Sequence, residues 1–214
     1  MVRQLQPELL DALPSDDPAA RHSRRDLRLV NAAMGNFRWF RRTLPALVRP
    51  AEPVLELGAG TGELACSLQR LPLPVDGLDR CPAPAFWPAA REWHRDDLMA
   101  FSRYAEFPVV IGNLIFHHFS ESELAALGAR LRVSSRVIVA CEPARYRRFQ
   151  HLFAVIAPLL RAHAITLHDA RVSIAAGFRD DELPRALGLD DGSWDCRTTT
   201  TLLGGYRLVA VRRS

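Results

Sequence analysis

The chain has 214 residues, of which 48% are hydrophobic and 24% are charged, a composition typical of one globular domain with a proper core. No apolar run reaches the roughly 18 to 20 residues of a membrane span. Residues 1–17 carry acids and no apolar block, unlike a signal peptide, so we expect a cytoplasmic protein. The net charge of +4 comes from scattered arginines, because the sequence contains no lysine. This scatter argues against a nucleic-acid partner.

The residue types that commonly bind metal ions do not show a metal-binding spacing. Four cysteines lie far apart and form no CxxC pair, so we expect neither a metal site nor a disulfide framework. His117 and His118 are adjacent, and adjacent side chains on a regular helix or strand cannot both face one ion. The sequence therefore predicts no metal.

The N-terminal part of the chain divides into a lead-in and a helix. Residues 1–18 contain three prolines and several aspartates, which predicts a loosely ordered segment. From residue 26 to residue 47, apolar side chains recur at spacings of three and four, which predicts a helix that Gly35 weakens or divides. Two prolines follow at the boundary, so residues 1–50 form an N-terminal segment and residues 51–214 form the main domain.

Short apolar strands alternate with helical segments through the main domain. Strands are predicted at residues 54–57, 75–78, 92–95, 107–113 and 136–141, and helices at residues 63–70, 121–131 and 145–163. Ser120 and Glu123 predict a capping box at the second helix. Residues 195–202 and 206–212 are predicted to close the chain as an antiparallel hairpin. Strands separated by helices predict an α/β fold with a doubly wound, mostly parallel sheet.

The segment VLELGAGTG, residues 54–62, is the most informative in the sequence. Glycines after a strand let the chain turn sharply around a ligand, while the following helix offers free N–H groups. The dehydrogenase pattern GxGxxG fails because residue 63 is Glu. Glu56 would repel a pyrophosphate but attract the cationic amino group of an amino-acid-like ligand. That sign of charge favours S-adenosylmethionine.

The longer segment VLELGAGTGEL, residues 54–64, resembles the first motif of the class I S-adenosylmethionine-dependent methyltransferases. Three further features follow in the family's order: Asp79 at the end of the second strand, an Asp96–Asp97 pair after the third, and GNLIFHHF after the fourth. The resemblance spans about residues 52–145. It implies a Rossmann-like, doubly wound, mostly parallel seven-stranded sheet with a C-terminal antiparallel hairpin.

The resemblance also implies where the cofactor S-adenosylmethionine and its product S-adenosylhomocysteine would bind. Asp79 would accept hydrogen bonds from both ribose hydroxyls. One of Asp96 and Asp97 would contact the adenine amino group; Asp97 is preferred, but the choice stays open. The complete set of expected cofactor-binding residues is Glu56, Gly58, Ala59, Gly60, Gly62, Asp79, Arg80, Asp96, Asp97, Leu98, Asn113, Leu114 and His117.

The acceptor side of the site is less sharply defined by the sequence. A hydroxyl acceptor would profit from a general base, and the candidates are His117, His118 and His168, with Glu142 less favoured. An N-terminal helix covers the site in many small-molecule methyltransferases, so residues 1–50 are expected to supply a helical lid. A loop is predicted over residues 168–179. The expected substrate-binding residues are Phe37, Trp39, Phe40, Glu142 and Arg171.

The segments GNFRWF, NLIFHHF, CEPARYRRFQ and SIAAGF resemble small bacterial methyltransferases that accompany type III polyketide and phenolic-lipid pathways. This resemblance implies a small-molecule acceptor and O-methylation of an aromatic or lipid-like hydroxyl, by a monomer or a homodimer. Two alternatives stay open. One is an RNA or protein methyltransferase that uses the arginine-rich N-terminal helix, although the turn after the fourth strand lacks the prolines of base N-methyltransferases. The other is a binding protein that has lost the transfer reaction.

Overall fold

The computed structural model describes residues 1–14, 17–159 and 162–213, and seven strands form one sheet within them. The strands are β1 (Val54–Leu57), β2 (Val75–Asp79), β3 (Trp93–Arg95), β4 (Val109–Asn113), β5 (Val137–Pro143), β6 (Trp194–Thr200) and β7 (Gly205–Arg212). Their order in the sheet is β3-β2-β1-β4-β5-β7-β6. β1 to β5 run parallel, and β7 runs antiparallel to both β5 and β6. The predicted Rossmann-like sheet and its closing hairpin are confirmed.

The alternation of side chains along the strands buries both faces of the sheet. Val109 of β4 and Val137 of β5 join one apolar core, while their neighbours Val110 and Ile138 join the core on the opposite face. Each such aliphatic side chain stabilises the fold by about 1.5–3 kcal/mol on full burial. Burial on two faces explains why these strands are continuous apolar runs in the sequence.

Helices cover both faces of the sheet. In the described residues they are α1 (Pro18–Met34), α2 (Asn36–Thr43), α3 (Glu63–Leu68), α4 (Glu121–Ser134), α5 (Arg147–Leu159), α6 (Ala164–Ala176) and α7 (Glu182–Ala186). Phe40 and Leu64 bring α2 and α3 into one core, and Leu124 and Leu183 bring α4 and α7 into the other. The capping box predicted at the start of α4 is confirmed. Within the part of the chain that is described, no helix has the length and apolarity to cross a membrane.

The N-terminal helix begins earlier than predicted and is divided at Gly35. α1 starts at Pro18 because the Asp17 carboxylate caps it, accepting the N–H groups of Ala19 and Ala20 at 2.7 and 3.3 Å. Gly35 has a φ of +66°, the left-handed conformation that ends α1 and lets α2 leave in a new direction. The predicted division is confirmed, and the predicted start at residue 26 is wrong.

Two predictions for the segment after β5 are wrong. The helix predicted over residues 145–163 is too long: α5 is described over Arg147–Leu159, residues 160 and 161 lie outside the described residues, and His163 is extended where its ring caps α6. The predicted loop over residues 168–179 is mostly the second half of α6. This helix buries Thr166 and Asp169, so polar side chains interrupt the apolar periodicity by which a helix is found in a sequence.

Residues 1–10 are bonded to the body of the molecule, so the prediction of a loosely ordered lead-in is wrong for them. The Arg3 guanidinium donates to the carbonyl oxygens of Phe119 and Ala176 at 2.8 and 2.7 Å. The N–H groups of Leu9 and Leu10 donate to the Asp169 carboxylate at 2.8 and 3.0 Å. Such long-range polar anchors leave no periodic pattern in the sequence.

Candidate functional site

The loop after β1 has the backbone of a ligand-binding turn. Gly58, Gly60 and Gly62 have φ angles of +59°, +54° and +70°, a region that L side chains rarely adopt. The Gly62 N–H donates to the Ala59 carbonyl at 2.7 Å, which closes the turn directly before α3. A Cβ built on Gly60 would meet nothing nearer than the Gly58 carbonyl oxygen at 3.9 Å, so the space above Gly60 is open.

Asp79 lies beside this loop at the carboxyl end of β2, which pairs in parallel with β1. Its Oδ2 accepts the Gly60 N–H at 2.7 Å, and its Oδ1 accepts the Cys81 N–H at 2.8 Å. The carboxylate is half-buried and faces the turn. The structure therefore joins the first two motifs that the sequence analysis singled out.

The acidic pair after β3 has one exposed and one half-buried member. Asp97 forms an ion pair with Arg80, and its Oδ1 accepts the Met99 N–H at 2.7 Å. The hydrogen bond from Met99, aided by Arg80, holds the pKa of Asp97 below its ordinary value. Asp96 is exposed and accepts the Asp97 N–H at 2.7 Å, while Leu98 behind the pair is buried. Asp97 is thus the ionised carboxylate held in place at this edge.

Glu56 is buried inside the base of the loop, with 3% of its surface exposed. Its Oε2 accepts the Ala65 N–H at 3.0 Å in the first turn of α3. Burial raises the pKa of Glu56 to about 8; the Ala65 hydrogen bond opposes this shift and the charge of Asp79 adds to it. The group therefore keeps its proton at neutral pH until a positive charge comes near.

Asn113 at the end of β4 belongs to a buried asparagine cluster. Its Nδ2 donates to Asn31 Oδ1 and its Oδ1 accepts from Asn36 Nδ2, both at 3.1 Å. Asn36 also donates to Asn31 at 3.0 Å, and its Oδ1 accepts from Cys141 Sγ at 3.2 Å. The cluster ties α1, α2, β4 and β5 together at the edge where the loop lies. Sequence reasoning missed the roles of Asn31 and Asn36; the signal present was a polar pair flanking Gly35 in an apolar pattern.

The turn after β4 enters the space above the glycine loop. Leu114 has a φ of +59°, which is strained for a branched side chain, and its N–H donates to the Cys141 carbonyl at 2.8 Å. The Ile115 side chain lies against Gly58, where an added Cβ would come within 2.4 Å of it. Residues that follow β1 and β4, two strands that pair in parallel, thus meet over the loop.

His117 is buried between two carboxylates. Its Nδ1 lies 2.6 Å from Glu142 Oε2 and its Nε2 lies 3.4 Å from Glu8 Oε1. Burial disfavours the charged ring, but the carboxylates of Glu142 and Glu8 outweigh it and raise the pKa of His117 to about 9. A histidine that holds its proton at neutral pH is poorly suited to the predicted role of a general base.

Glu142 is not placed to contact an acceptor, which corrects the prediction made for it. The residue is fully buried. Its Oε1 accepts the N–H groups of Ile115 and Phe116, both at 2.9 Å, and its Oε2 accepts the N–H of His117 at 3.2 Å. Because these backbone N–H groups engage both of its oxygens, Glu142 holds the turn after β4 in place.

His118 and His168 occupy different surroundings. His118 is exposed, and its ring lies 4.2 Å from the His117 ring, centroid to centroid, because both residues belong to one turn of 3-10 helix. His118, His117 and Glu8 each place a ligand atom within 4.8 Å of the others. The expectation that adjacent rings diverge was made for a regular helix or strand, and these two histidines lie on a 3-10 turn. His168 lies on α6, with Nδ1 3.0 Å from Asp169 Oδ1.

The predicted acceptor contacts on α2 belong mainly to the core. Phe40 is fully buried among Leu44 and Val54, which corrects its assignment to the substrate. Trp39 packs edge-on against Phe40 and beneath the Arg207 guanidinium, and Phe37 is half-buried against the same core. The remaining predicted contact, Arg171, lies exposed on α6.

No protein-family model and no curated protein matches this sequence. Solved structures do match. The plantazolicin methyltransferase BpumL in complex with SAH has a TM-score of 0.69 at 12% identity, over 93% of this chain and 92% of that one. The plantazolicin methyltransferase BamL, with a triazolic desmethylPZN analogue and SAH, has 0.72 at 8%, over 96% and 93%. Magnesium protoporphyrin IX methyltransferase from Synechocystis PCC 6803 with bound SAM has 0.53 at 15%, over 96% and 88%.

The chain has the α/β Rossmann-like methyltransferase fold. In this fold the described residues bring together, at one edge of the sheet, the glycine loop, Asp79, Asp97 and the turn after β4. His168 and Arg171 lie on α6, which packs against the turn after β4. Sequence reasoning missed Arg3 and Glu8, which reach the same turn from the N-terminal segment.

Proposed function

We propose that the protein is an S-adenosylmethionine-dependent methyltransferase that O-methylates an aromatic or lipid-like hydroxyl of a small molecule. The observation that carries the proposal is the contact of Asp79 with the glycine loop, 2.7 Å from its Oδ2 to the Gly60 nitrogen. This contact places a carboxylate that could bind a ribose beside an open turn that could bind an amino-acid moiety. The structural neighbours that hold SAH or SAM support the same ligand.

The residues at this edge suit each part of that ligand. A carboxylate has about four lone-pair sites, so Asp79 can accept two ribose hydroxyls besides its two backbone N–H bonds. Asp97 offers an ionised oxygen to the adenine amino group. Glu56 offers a negative charge to the methionyl ammonium once it has lost its proton. The open space above Gly60 leaves room for the chain between them.

When bound, S-adenosylmethionine supplies a methyl group that the positive charge on its sulfur already activates. The task left to the protein is to hold the acceptor oxygen in line with that methyl group and to exclude water. Glu142 and the asparagine cluster fix the turn that bounds this space. Ile115 gives the turn an apolar surface over the loop.

The acceptor hydroxyl must lose its proton as its oxygen gains the methyl group. We place this hydroxyl near His118, whose ring is exposed, and not near His117, whose two nitrogens face carboxylates. Arg3 donates to the carbonyl oxygens of His117 and Phe119 at 3.3 and 2.8 Å, so the N-terminal segment crosses the same turn as a lid. A covered turn favours a small acceptor over a macromolecule.

Exposed apolar side chains on the N-terminal segment support an apolar acceptor. Val2, Leu5 and Leu9 are 83%, 42% and 45% exposed. Their exposure costs free energy in water, about 25 cal/mol for each Å² of apolar surface. Contact with an aromatic or lipid-like acceptor would recover part of this cost.

The cofactor assignment is tested by measuring the affinity for S-adenosylhomocysteine by calorimetry. Asp79→Ala removes two charge-assisted hydrogen bonds of about 1.5–3 kcal/mol each, so we expect affinity to fall about 100-fold or more. Asp76→Ala is the matched control on the same strand, since Asp76 only accepts the Glu92 N–H at 3.0 Å. Within the described residues this bond leads away from the glycine loop, so Asp76→Ala should bind like the wild type. Equal affinities of the wild type and Asp79→Ala would refute the ribose contact.

The acceptor assignment is tested separately, by transfer of a radiolabelled methyl group onto phenols, lipids with free hydroxyls, and RNA. We expect label on the first two classes. Label on RNA alone, with binding that weakens steeply as salt rises, would replace the small-molecule proposal with a nucleic-acid one.

A further inference from the structure

The turn after β4 and the N-terminal segment bring together three side chains that together resemble the ligand set of a transition-metal site. Glu8, His117 and His118 each offer one ligand atom within 4.8 Å of the other two. The Nε2 of His117 and the Oε1 of Glu8 are 3.4 Å apart. Two ligand atoms about 2.1 Å from a tetrahedral ion are themselves separated by about 3.4 Å.

We propose that Glu8, His117 and His118 bind a divalent transition-metal ion of the zinc class. The ion would lie between the His117 and His118 imidazoles and the Glu8 carboxylate. Three protein ligands leave a fourth position open for water or for an oxygen of another molecule.

The surroundings of His117 have the form that a metal-binding histidine requires. A histidine ligand usually donates its second ring nitrogen to a carboxylate, which fixes the ring and its tautomer. His117 does this with Glu142, at 2.6 Å from Nδ1 to Oε2, and this leaves Nε2 directed at Glu8. Glu142 is held in turn by three backbone N–H groups of the turn.

The segment that supplies Glu8 is anchored, so the third ligand does not depend on a free chain end. Glu8 accepts a hydrogen bond from the Ser173 hydroxyl on α6. The next two residues donate their N–H groups to Asp169, also on α6, at 2.8 and 3.0 Å. His118 is exposed and already places a ring nitrogen within 4.8 Å of the ligand atoms of Glu8 and His117.

The chemistry of the three ligands selects the kind of ion. Two imidazole nitrogens and one carboxylate suit Zn²⁺, Fe²⁺, Co²⁺ or Ni²⁺, whereas Mg²⁺ and Ca²⁺ prefer oxygen ligands only. A buried ion pair of His117 with the two glutamates is the alternative explanation of the cluster. In that alternative no metal ion binds, so the two explanations are separated by measuring whether metal is bound and whether His118→Ala weakens that binding.

The position of the site also suggests a use for it, which rests on the proposed function. Two of the ligands, His117 and His118, follow Ile115 in the same turn, and Ile115 touches the glycine loop. An acceptor hydroxyl in the fourth position would lose its proton to water more easily, since a divalent ion lowers the pKa of a bound hydroxyl. The ion would also link Glu8 to the turn and so hold the lid closed.

The test is a titration of the full-length, chelator-treated protein with Zn²⁺ in competition with a chromogenic chelator, repeated with Co²⁺ while recording its d–d absorption. We expect one equivalent to bind and the Co²⁺ spectrum to be that of a four-coordinate site. His118→Ala and Glu8→Gln should each weaken binding at least tenfold. His151→Ala, a change to an exposed histidine on α5, should leave binding unchanged.

Absence of stoichiometric binding, or an equal loss in His151→Ala, would overturn the metal site and leave the buried ion pair. So would unchanged binding in His118→Ala. The affinity of the same samples for S-adenosylhomocysteine separates this result from the proposed function. Metal binding without nucleoside binding would contradict only the methyltransferase proposal, and the reverse result would contradict only the metal site.

Discussion

Glu56 is a buried carboxyl whose pKa, at about 8, lies well above that of a carboxyl in water because burial disfavours its charge. In the unfolded chain the same group ionises near a pH of about 4.3. Between these two pH values the folded state keeps a proton that the unfolded state has lost, so the free energy of unfolding falls as pH rises. A buried carboxyl that costs stability at neutral pH is typical of a functional residue, and Glu56 lies at the base of the glycine loop.

At pH 7 we expect binding of S-adenosylhomocysteine to release about one proton, because the ligand's ammonium stabilises the ionised form of Glu56. Calorimetry in buffers with different ionisation enthalpies measures the number of protons released. Glu56→Gln should release none and should bind at least tenfold more weakly. The same proton release from this variant as from the wild type would assign the titration to another group.

Among single residues, those that belong to a local sequence motif are the ones that the sequence predicts best. The glycines and Asp79 were found because their spacing along the chain is characteristic. Glu8 was missed because it meets His117 from 109 residues away, through a contact that no local pattern records. The burial of Glu142 likewise depends on how β5 sits behind the turn, which its sequence position does not reveal.

At the scale of elements, the bend between α1 and α2 sets the position of the asparagine cluster. Gly35 lies between Asn31 and Asn36, and its left-handed backbone lets both side chains reach Asn113. An added Cβ at Gly35 would meet nothing nearer than the Arg207 guanidinium at 4.0 Å. Strain in the backbone, and not a clash, is therefore what disfavours any other residue at this position.

Gly35→Ala should lower the free energy of unfolding by about 1–2 kcal/mol, the cost of a left-handed conformation for an L residue. Urea unfolding measures this loss. Gly192→Ala is a matched control, since Gly192 has a φ of +82° and open space around it, far from the cluster. Both variants should lose similar stability, but only Gly35→Ala should weaken S-adenosylhomocysteine binding severalfold. Equal affinities in the two variants would contradict a role of the bend in the site.

The helices and strands that could be predicted are those whose apolar pattern is not interrupted by buried polar residues. The parallel strands are buried on both faces and read as unbroken apolar runs, so their positions were nearly right. The sequence predicts a loop where most of α6 lies, because α6 directs Thr166 and Asp169 inward, where they bond to Asp26 and to the N-terminal segment. A helix boundary near a capping residue such as Asp17 is set by one or two side-chain hydrogen bonds that periodicity does not show.

At the scale of the whole molecule, the strand order places the candidate site. β2, β1 and β4 are neighbours in the sheet and run parallel, so their carboxyl ends bring Asp79, the glycine loop and Asn113 to one edge. This convergence follows from the alternation of strands and helices in the sequence. The packing of the N-terminal segment over that edge does not, since its bonds join residues more than 100 positions apart.

Binding of a sulfonium nucleoside at this edge is tested most directly by a crystal structure of the protein with S-adenosylhomocysteine. We expect both ribose hydroxyls within hydrogen-bond distance of Asp79, the methionyl amino group beside Glu56, and Ile115 moved away from Gly58. A nucleoside bound at any other place, or a loop still filled by the Ile115 side chain at saturating ligand, would contradict it.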